Sequence, residues 1–314
     1  MMKVTLTNEI LRYITEIEHN RYKVSSVKLS KTVMNRLRKN SKKKSSYASN
    51  KIEGNPLSEK QVDEVIERDE RKHYLKPEQE VRNYFLALNF LEEKVSKKEK
   101  FSRKLILDVQ KLVEKGASKE KIGLRGPMPP GVLFAVYDSK TGNPDYIPPE
   151  YCDIPGLLDE LVEYVNTTDD HPLIVAAVVH YQLVTIHPFE DGNGRTARLL
   201  SGYIMDLNGY GFNGIGSLEE YFAYDIDEYY ESIQMGLPAL YYSGRENPPH
   251  PEIWIRYFLR MVKLYSGKIC DLQLASEEED IAGSLSFLKG REKELLQFLI
   301  KNYRGEFTPI EVSR

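Results

Sequence analysis

HPFEDGNGRTARLL, residues His187 to Leu200, separates two apolar runs, and its reading decides the fold. The run before it, Pro172 to Ile186 (PLIVAAVVHYQLVTI), is almost continuously apolar and opens with proline after Asp170-His171. That pattern predicts a buried helix with proline in its first turn. It must stop at His187, because the residue before Pro188 is pushed out of the helical region. The run after it, Asn193 to Leu207 (NGRTARLLSGYIMDL), carries apolar residues at helical spacing and begins inside Gly192-Asn193-Gly194. Glycines at that point let backbone approach a ligand. The unpaired N–H groups of a helix start then form an anion cradle worth roughly half a positive charge.

Arg195 and Arg198 stand three residues apart on one face of the second helix, and guanidinium forks suit phosphate oxygens. Asp191, flanked by Glu190, would be repelled by a bare phosphate. A bridging Mg²⁺, held by one or two carboxylates and by phosphates, resolves the conflict. His187 at the rim is an imidazole able to take a proton from an incoming hydroxyl. Singly, each of these is more often a turn, a packing histidine or a solvated arginine face. Within twelve residues they describe a nucleotide-transfer site.

The stretch resembles the signature of the Fic (filamentation induced by cAMP) family, His-Pro-Phe-x-Asp/Glu-Gly-Asn-Gly-Arg-x-x-Arg, with every position matched by His187 through Arg198. The resemblance implies an all-α fold whose members mostly transfer AMP from ATP, with Mg²⁺, to a hydroxyl of a target protein. It implies His187 as base, Asp191 as metal ligand, and Asn193 with the Gly192 and Gly194 backbone on the α-phosphate. Arg195 and Arg198 would hold the β- and γ-phosphates, and Phe189 would pack inward. Upstream, Ser49-Asn50-Lys51-Ile52-Glu53-Gly54 resembles the family's inhibitory motif Ser/Thr-x-x-x-Glu-Gly/Asn. Glu53 would then compete with the γ-phosphate for Arg198, and Ser49 and Gly54 complete the motif. Whether the same carboxylate also serves removal of AMP stays open. The adjacent Tyr229-Tyr230, within an acidic tract from Glu219 to Glu231, resemble a feature near adenine and ribose, although packing explains them nearly as well.

The remaining sequence bounds the alternatives. With 314 residues, 41% hydrophobic and 29% charged, the chain suffices for one large globular domain and an appendage. No apolar run approaches the ~20 residues of a membrane span. The N-terminus lacks a secretory pattern, and Cys152 and Cys270 are too few and too far apart for a disulfide framework, so a cytoplasmic protein is expected. Between Arg21 and Lys51 there are eleven Lys or Arg and no Asp or Glu, a block that reads first as a solvated basic face and second as a contact for DNA or an acidic protein.

Three regions are expected. Residues 1–100 are N-terminal helices that include the motif at 49–54, with helices over Ser58–Arg71, where Ser58 and Gln61 form a capping box, and over Lys76–Lys94. Residues 101–270 form the catalytic core. It begins with a helix over Ser102–Lys115 and carries a β-hairpin flap at about 131–149, built from the β-like run Val132–Tyr137 and turn formers Asp138–Pro144. By resemblance this flap registers the target strand. Asp153–Val165 reads as an amphipathic helix, Pro251–Tyr265 as one that should close the core, and His180 as a hydrogen-bonded interior histidine. Residues 271–314 form a helical tail: a linker-like SEEEDIAGS at Ser276–Ser284, a helix at Gly290–Tyr303, and at Phe307–Val312 what could open a winged helix-turn-helix. The chain stops at Arg314 before any recognition helix, so either it is truncated or the tail is only a docking helix.

The reading is thus a protein adenylyltransferase that binds ATP and Mg²⁺ and modifies a protein target, with modification of itself left open. Homo-oligomerisation is open and no membrane partner is implied. Two alternatives stand: a phosphotransferase like the death-on-curing subgroup, which generally departs from Gly-Asn-Gly, and a nucleotide-sensing DNA-binding regulator.

Overall fold

The computed structural model describes residues 2–68, 73–118, 122–132, 134–137, 142–235, 237 and 248–284, with 290, 294, 295 and 298 beyond them. Among the described residues the chain is helical apart from one two-stranded hairpin. The centre is α7 (Pro172–Ile186) against α8 (Asn193–Leu207), with the bounds that the sequence predicts for both. Thirteen of the fifteen α7 residues are buried, which is why a run rich in β-branched residues holds as a helix. Full burial of each Val, Leu or Ile contributes about 1.5–3 kcal/mol, against a propensity deficit of a few tenths.

Before this pair come α1 (Asn8–Ser26), α2 (Lys31–Ile52), α3 (Glu59–Glu67), α4 (Lys76–Ser96) and α5 (Arg103–Glu114). Ser58 and Gln61 make the expected capping box at the start of α3, while the helix ends at Glu67. The expected extension to Arg71 falls partly outside the described residues. The hairpin, β1 (Val136–Tyr137) and β2 (Pro144–Tyr146), is antiparallel, with Val136 opposite Tyr146 and Tyr137 opposite Pro144. It is shorter than the run Val132–Tyr137 suggests. Val132 faces solvent, so alternation there buries nothing, and Pro144 removes a ladder donor. The expected turn residues 138–141 lie outside the described residues.

Then come α6 (Ile154–Thr167), α7, α8, a 3₁₀ turn at Phe212–Gly214, α9 (Glu219–Tyr224), α10 (Ile226–Gln234) and α11 (Pro251–Ser284). The linker expected at Ser276–Ser284 is instead the last part of α11. Ser, Glu, Asp and Ala tolerate helix, no proline interrupts them, and extending an existing helix costs little. The helix expected at Gly290–Tyr303 falls largely, and the winged-helix start at Phe307–Val312 wholly, outside the described residues. One hydrophobic cluster takes in α1, α2, α4 to α8 and α11, from Met2 to Cys270. Most of the N-terminal helices therefore share the core of α7 and α8, while Val62 and Val65 of α3 pack with Val81 of α4 in a separate small cluster. No described helix is long and apolar enough to cross a membrane.

The lysine triplet of the basic block, Lys42 to Lys44, pairs with neighbouring helices. Lys42 reaches Glu92 and Asn89 on α4, Lys43 lies 2.7 Å from Glu67 on α3, and Lys44 lies 3.0 Å from Glu220 on α9. Ser45 donates to the buried Glu219 carboxylate at 2.8 Å, and Tyr84 donates to its other oxygen at 2.9 Å. These contacts fix α2 on three neighbours, and so fix where its C-terminal end points.

Candidate active site

The site begins with a backbone turn. His187 ends α7 in the left-handed region, φ 48° and ψ 58°, which steers the chain back over the helix end. Its Nδ1 lies 3.2 Å from the Val184 carbonyl, and an N–H there sets the tautomer that leaves the Nε2 lone pair free. Burial pulls this histidine down to about 4, against the Val184 carbonyl, which holds it up, so the ring is neutral at physiological pH.

Phe189 is fully buried, as expected, and pairs with Leu124 in an isolated bridge. Asn193 braces it: the amide oxygen accepts the Phe189 N–H at 3.0 Å and the amide nitrogen donates to the Phe189 carbonyl at 2.9 Å. The side chain expected on a phosphate is thus occupied in shaping the loop. Arg125, which the sequence reading missed, ties the loop to the flap. Its Nε donates to the His187 carbonyl at 2.9 Å, its backbone N–H to the Pro188 carbonyl at 2.9 Å, and its Nη2 to Pro149 beyond β2. The guanidinium lies 4.6 Å from the centre of the Phe134 ring, and burial depresses its basicity. The Tyr146 hydroxyl, donating to the Thr185 carbonyl, pins β2 onto α7.

Gly192 caps α8 at φ 81° without a side-chain hydrogen bond. A β-carbon there would meet Glu114 Oε1 at 2.7 Å, and one on Gly194 would meet Glu53 Oε1 at 2.5 Å. Asp191 Oδ1 accepts the Gly192 N–H at 2.8 Å and lies 3.2 Å from Arg195. Arg195, nearly buried, also lies 2.9 Å from Glu114 and 3.8 Å from Glu80. With three carboxylates around one guanidinium the surplus is negative. Burial foremost, with Asp191 and Glu80, pushes the Glu114 carboxyl up to about 7 although Arg195 opposes it.

Arg198 is fully engaged. Nε donates to Ser49 Oγ at 2.8 Å, Nη2 to the Ser49 carbonyl at 3.1 Å and to Glu53 Oε1 at 2.5 Å, and Nη1 to the Tyr229 hydroxyl at 3.3 Å. Burial is the largest influence and works against its charge, but Glu53, Tyr229 and Tyr84 together outweigh it and hold the guanidinium above its ordinary range. Ser49 and Glu53, from the stretch that resembles an inhibitory motif, therefore meet Arg198, which lies 149 and 145 positions further along the chain. Gly54 contributes a turn at φ 79° that ends α2 at Glu53. Tyr229 is buried and bridges Arg198 to His180, whose Nε2 lies 2.8 Å from its hydroxyl. His180 is thus the interior histidine expected, pushed well below its usual range by burial and then by Arg198. Tyr230, half exposed, reaches the Ile52 carbonyl at 3.5 Å.

Glu114, Glu80 and Arg125 were missed. One signal was present for the first: Gln110 and Glu114 interrupt the apolar stripe Leu105, Ile106, Val109, Val113 of α5, and both are buried. Among the described residues no group of three or more His, Cys, Asp or Glu could hold a metal. The donor set, one hard carboxylate beside an anion cradle, fits a Mg²⁺ that arrives on phosphates.

Residues 100–205 match the Fic/DOC family. The protein adenylyltransferase Fic of Drosophila grimshawi is 27% identical over 206 residues, covering 63% of this chain and 40% of that protein. The protein adenylyltransferase fic-1 of Caenorhabditis elegans is 35% identical over 143 residues, 43% of this chain and 27% of that protein. The chain thus spans well under half the length of these curated relatives. A solved fragment of Fic-1 from C. elegans superimposes with a TM-score of 0.65 at 25% identity, over 86% of this chain and 73% of the fragment. A Fic family protein from Desulfovibrio desulfuricans G20 has the same fold, with a TM-score of 0.65 at 21% identity over 99% of this chain and 85% of that one.

Proposed function

We propose that this chain, whose residues 100–205 match the Fic/DOC family, is a Fic protein that transfers AMP from ATP to a Ser, Thr or Tyr hydroxyl of a protein, held back by Glu53. The observation that carries this reading is the meeting at one helix start of His187, Asp191, the two glycines, Arg195 and Arg198, with Glu53 on the guanidinium a terminal phosphate would need. Curated relatives named adenylyltransferases support ATP as the substrate. We assign residues 101–270 to the catalytic core and residues 1–100 to a helical region that carries the brake.

In the proposed reaction the triphosphate lies over the start of α8. The amides of residues 192–194 take the α-phosphate, while Arg195 and Arg198 take the outer two. Asp191 would hold Mg²⁺, which when bound neutralises charge on the phosphates. A target segment adds to the exposed edge of the hairpin. His187 Nε2 accepts the hydroxyl proton, and the oxygen attacks the α-phosphorus. The bond from that phosphorus to the bridging oxygen breaks, and its electron pair leaves with pyrophosphate, stabilised by the two arginines. The partial exposure of the Glu53 carboxylate, 29%, supports the further proposal that it holds a water for removing AMP from a modified target.

Incubating the Glu53→Gly chain with α-labelled and, separately, γ-labelled ATP tests the reading. Label from the α-phosphate alone, on the chain or on a lysate protein, is expected. Label from the γ-phosphate selects phosphotransfer. DNA binding that falls with salt and survives His187→Ala, without transfer of either label, selects the regulator.

A further inference from the structure

Helix α5 presents two polar side chains to the underside of the loop. Gln110 Nε2 donates to the Asp191 carbonyl at 3.3 Å, and its Oε1 accepts the Gly123 N–H at 3.0 Å. Glu114, one turn on, is 0% exposed with an oxygen 2.9 Å from Arg195 Nη2. That oxygen is the atom a β-carbon on Gly192 would strike. The end of α5 is itself held, since Asn83 donates to the carbonyls of Val113 and Lys115 at 2.8 Å each.

Glu114 is a costly residue for a fold to keep. A buried carboxylate loses its hydration, and packed hydrophobic residues often replace a buried ion pair without loss of stability. Neither Glu114 oxygen has a well-aligned hydrogen-bond donor among the described residues, although Arg195 Nη2 is at ion-pair distance. The contact is electrostatic and off the N–H axis. Of the three carboxylates near Arg195, Asp191 and Glu80 are reached by solvent, at 28% and 14%, while Glu114 is sealed. A ligand arriving from the loop side can draw Asp191 away but cannot reach Glu114.

We infer that Glu114 is a positioning residue for the transfer reaction, gripping Arg195 from behind so that its guanidinium faces the phosphates once Asp191 turns to the nucleotide. Gln110 fixes the backbone of Asp191 from the same helix. This inference rests on the AMP-transfer reading above.

Glu114→Gln, assayed above about pH 8 so that the parent carboxyl is ionised, tests it, because glutamine keeps volume and an acceptor oxygen while removing the charge. In a Glu53→Gly parent, kcat for AMP transfer is expected to fall by about 10- to 100-fold per nucleotide-binding site. The ATP Kd should stay within about threefold of the parent's, because a charge that orients Arg195 from behind does not touch the ligand. In an Arg195→Gln background the same change should have less than about a twofold effect, since a residue acting through Arg195 has nothing left to position. Unchanged kcat, or a loss that multiplies with that of Arg195→Gln, overturns the inference. A parent that transfers no label refutes the adenylyltransferase reading instead, and the inference is then decided without turnover. The Arg195 Nε–H resonance should be ordered in the parent and averaged in Glu114→Gln, and an identical resonance in both overturns it.

Discussion

Replacing Glu53 by glycine isolates the proposed brake. Glu53 occupies the C-cap of α2 at φ −84° and ψ 10°, and Gly54 already supplies the turn, so glycine fits the backbone. What is lost is one charge-assisted bond, Glu53 Oε1 to Arg198 Nη2 at 2.5 Å, worth about 1.5–3 kcal/mol. At about 1.4 kcal/mol per tenfold, that is a factor of about 10 to 150. In the proposed competition a γ-phosphate displaces Glu53 to reach Arg198, so ATP and ADP should bind the wild type with similar affinity. In Glu53→Gly the γ-phosphate gains the guanidinium, and ATP should bind at least about tenfold more tightly than ADP by titration calorimetry with Mg²⁺ present. AMP transfer should rise by an order of magnitude or more. Arg198 keeps Ser49 and Tyr229, so the ligand-free variant should lose stability by only about 1–3 kcal/mol, with saturating ATP restoring about 2.7 kcal/mol at a hundred times Kd. An ATP-to-ADP preference no greater than in the wild type, or turnover unchanged or lower, refutes the competition.

Three further outcomes are expected. Ser49→Ala removes the Nε partner of Arg198 but leaves Glu53, so transfer should rise less than in Glu53→Gly, by about two- to tenfold for a bond with an uncharged acceptor; a rise matching Glu53→Gly counts against Glu53 as the brake. His187→Ala should lower transfer by about 10²–10⁴ while ATP affinity stays nearly intact. The same variant reads a linkage. The folded pKa of about 4 lies below the unfolded value, so the unfolded chain takes up the proton first. The stability this group supports is complete above about pH 6.5 and is lost as pH falls toward 4. Melting curves of wild type and variant should therefore converge through that window as the pH falls, and parallel curves would exclude a buried neutral His187. Gly192→Ala combines a left-handed backbone with a β-carbon 2.7 Å from Glu114, and should cost at least about 1–2 kcal/mol in denaturant titration together with loss of transfer; normal stability and turnover would show that the turn is not fixed as described.

The parts of the site legible in the sequence are those with local punctuation. Pro172 and the His187-Pro188 pair bound α7, Gly192-Asn193-Gly194 opens α8, and Ser58 with Gln61 starts α3, because each signal acts within a turn of its own position. The grip of Glu53 on Arg198 joins helices far apart in the chain, and only the motif resemblance pointed to it. Glu114 and Arg125 were hidden for the same reason: their partners are set by how α5 and the flap pack on the loop, and a carboxylate in the last turn of a helix is ordinarily a surface group. The linker at Ser276–Ser284 failed because acidic composition was weighed as a break, where only proline or paired glycines would have stopped α11.

The most direct test is a structure of the Glu53→Gly chain with Mg²⁺ and a non-hydrolysable ATP analogue. Expected is the triphosphate over the start of α8, Arg198 released from the Glu53 position onto the outermost phosphate, and His187 Nε2 facing the α-phosphorus opposite the leaving oxygen. A triphosphate bound away from Gly192–Gly194, or bound there with its terminal phosphate out of reach of Arg198, would contradict the proposed competition between carboxylate and phosphate.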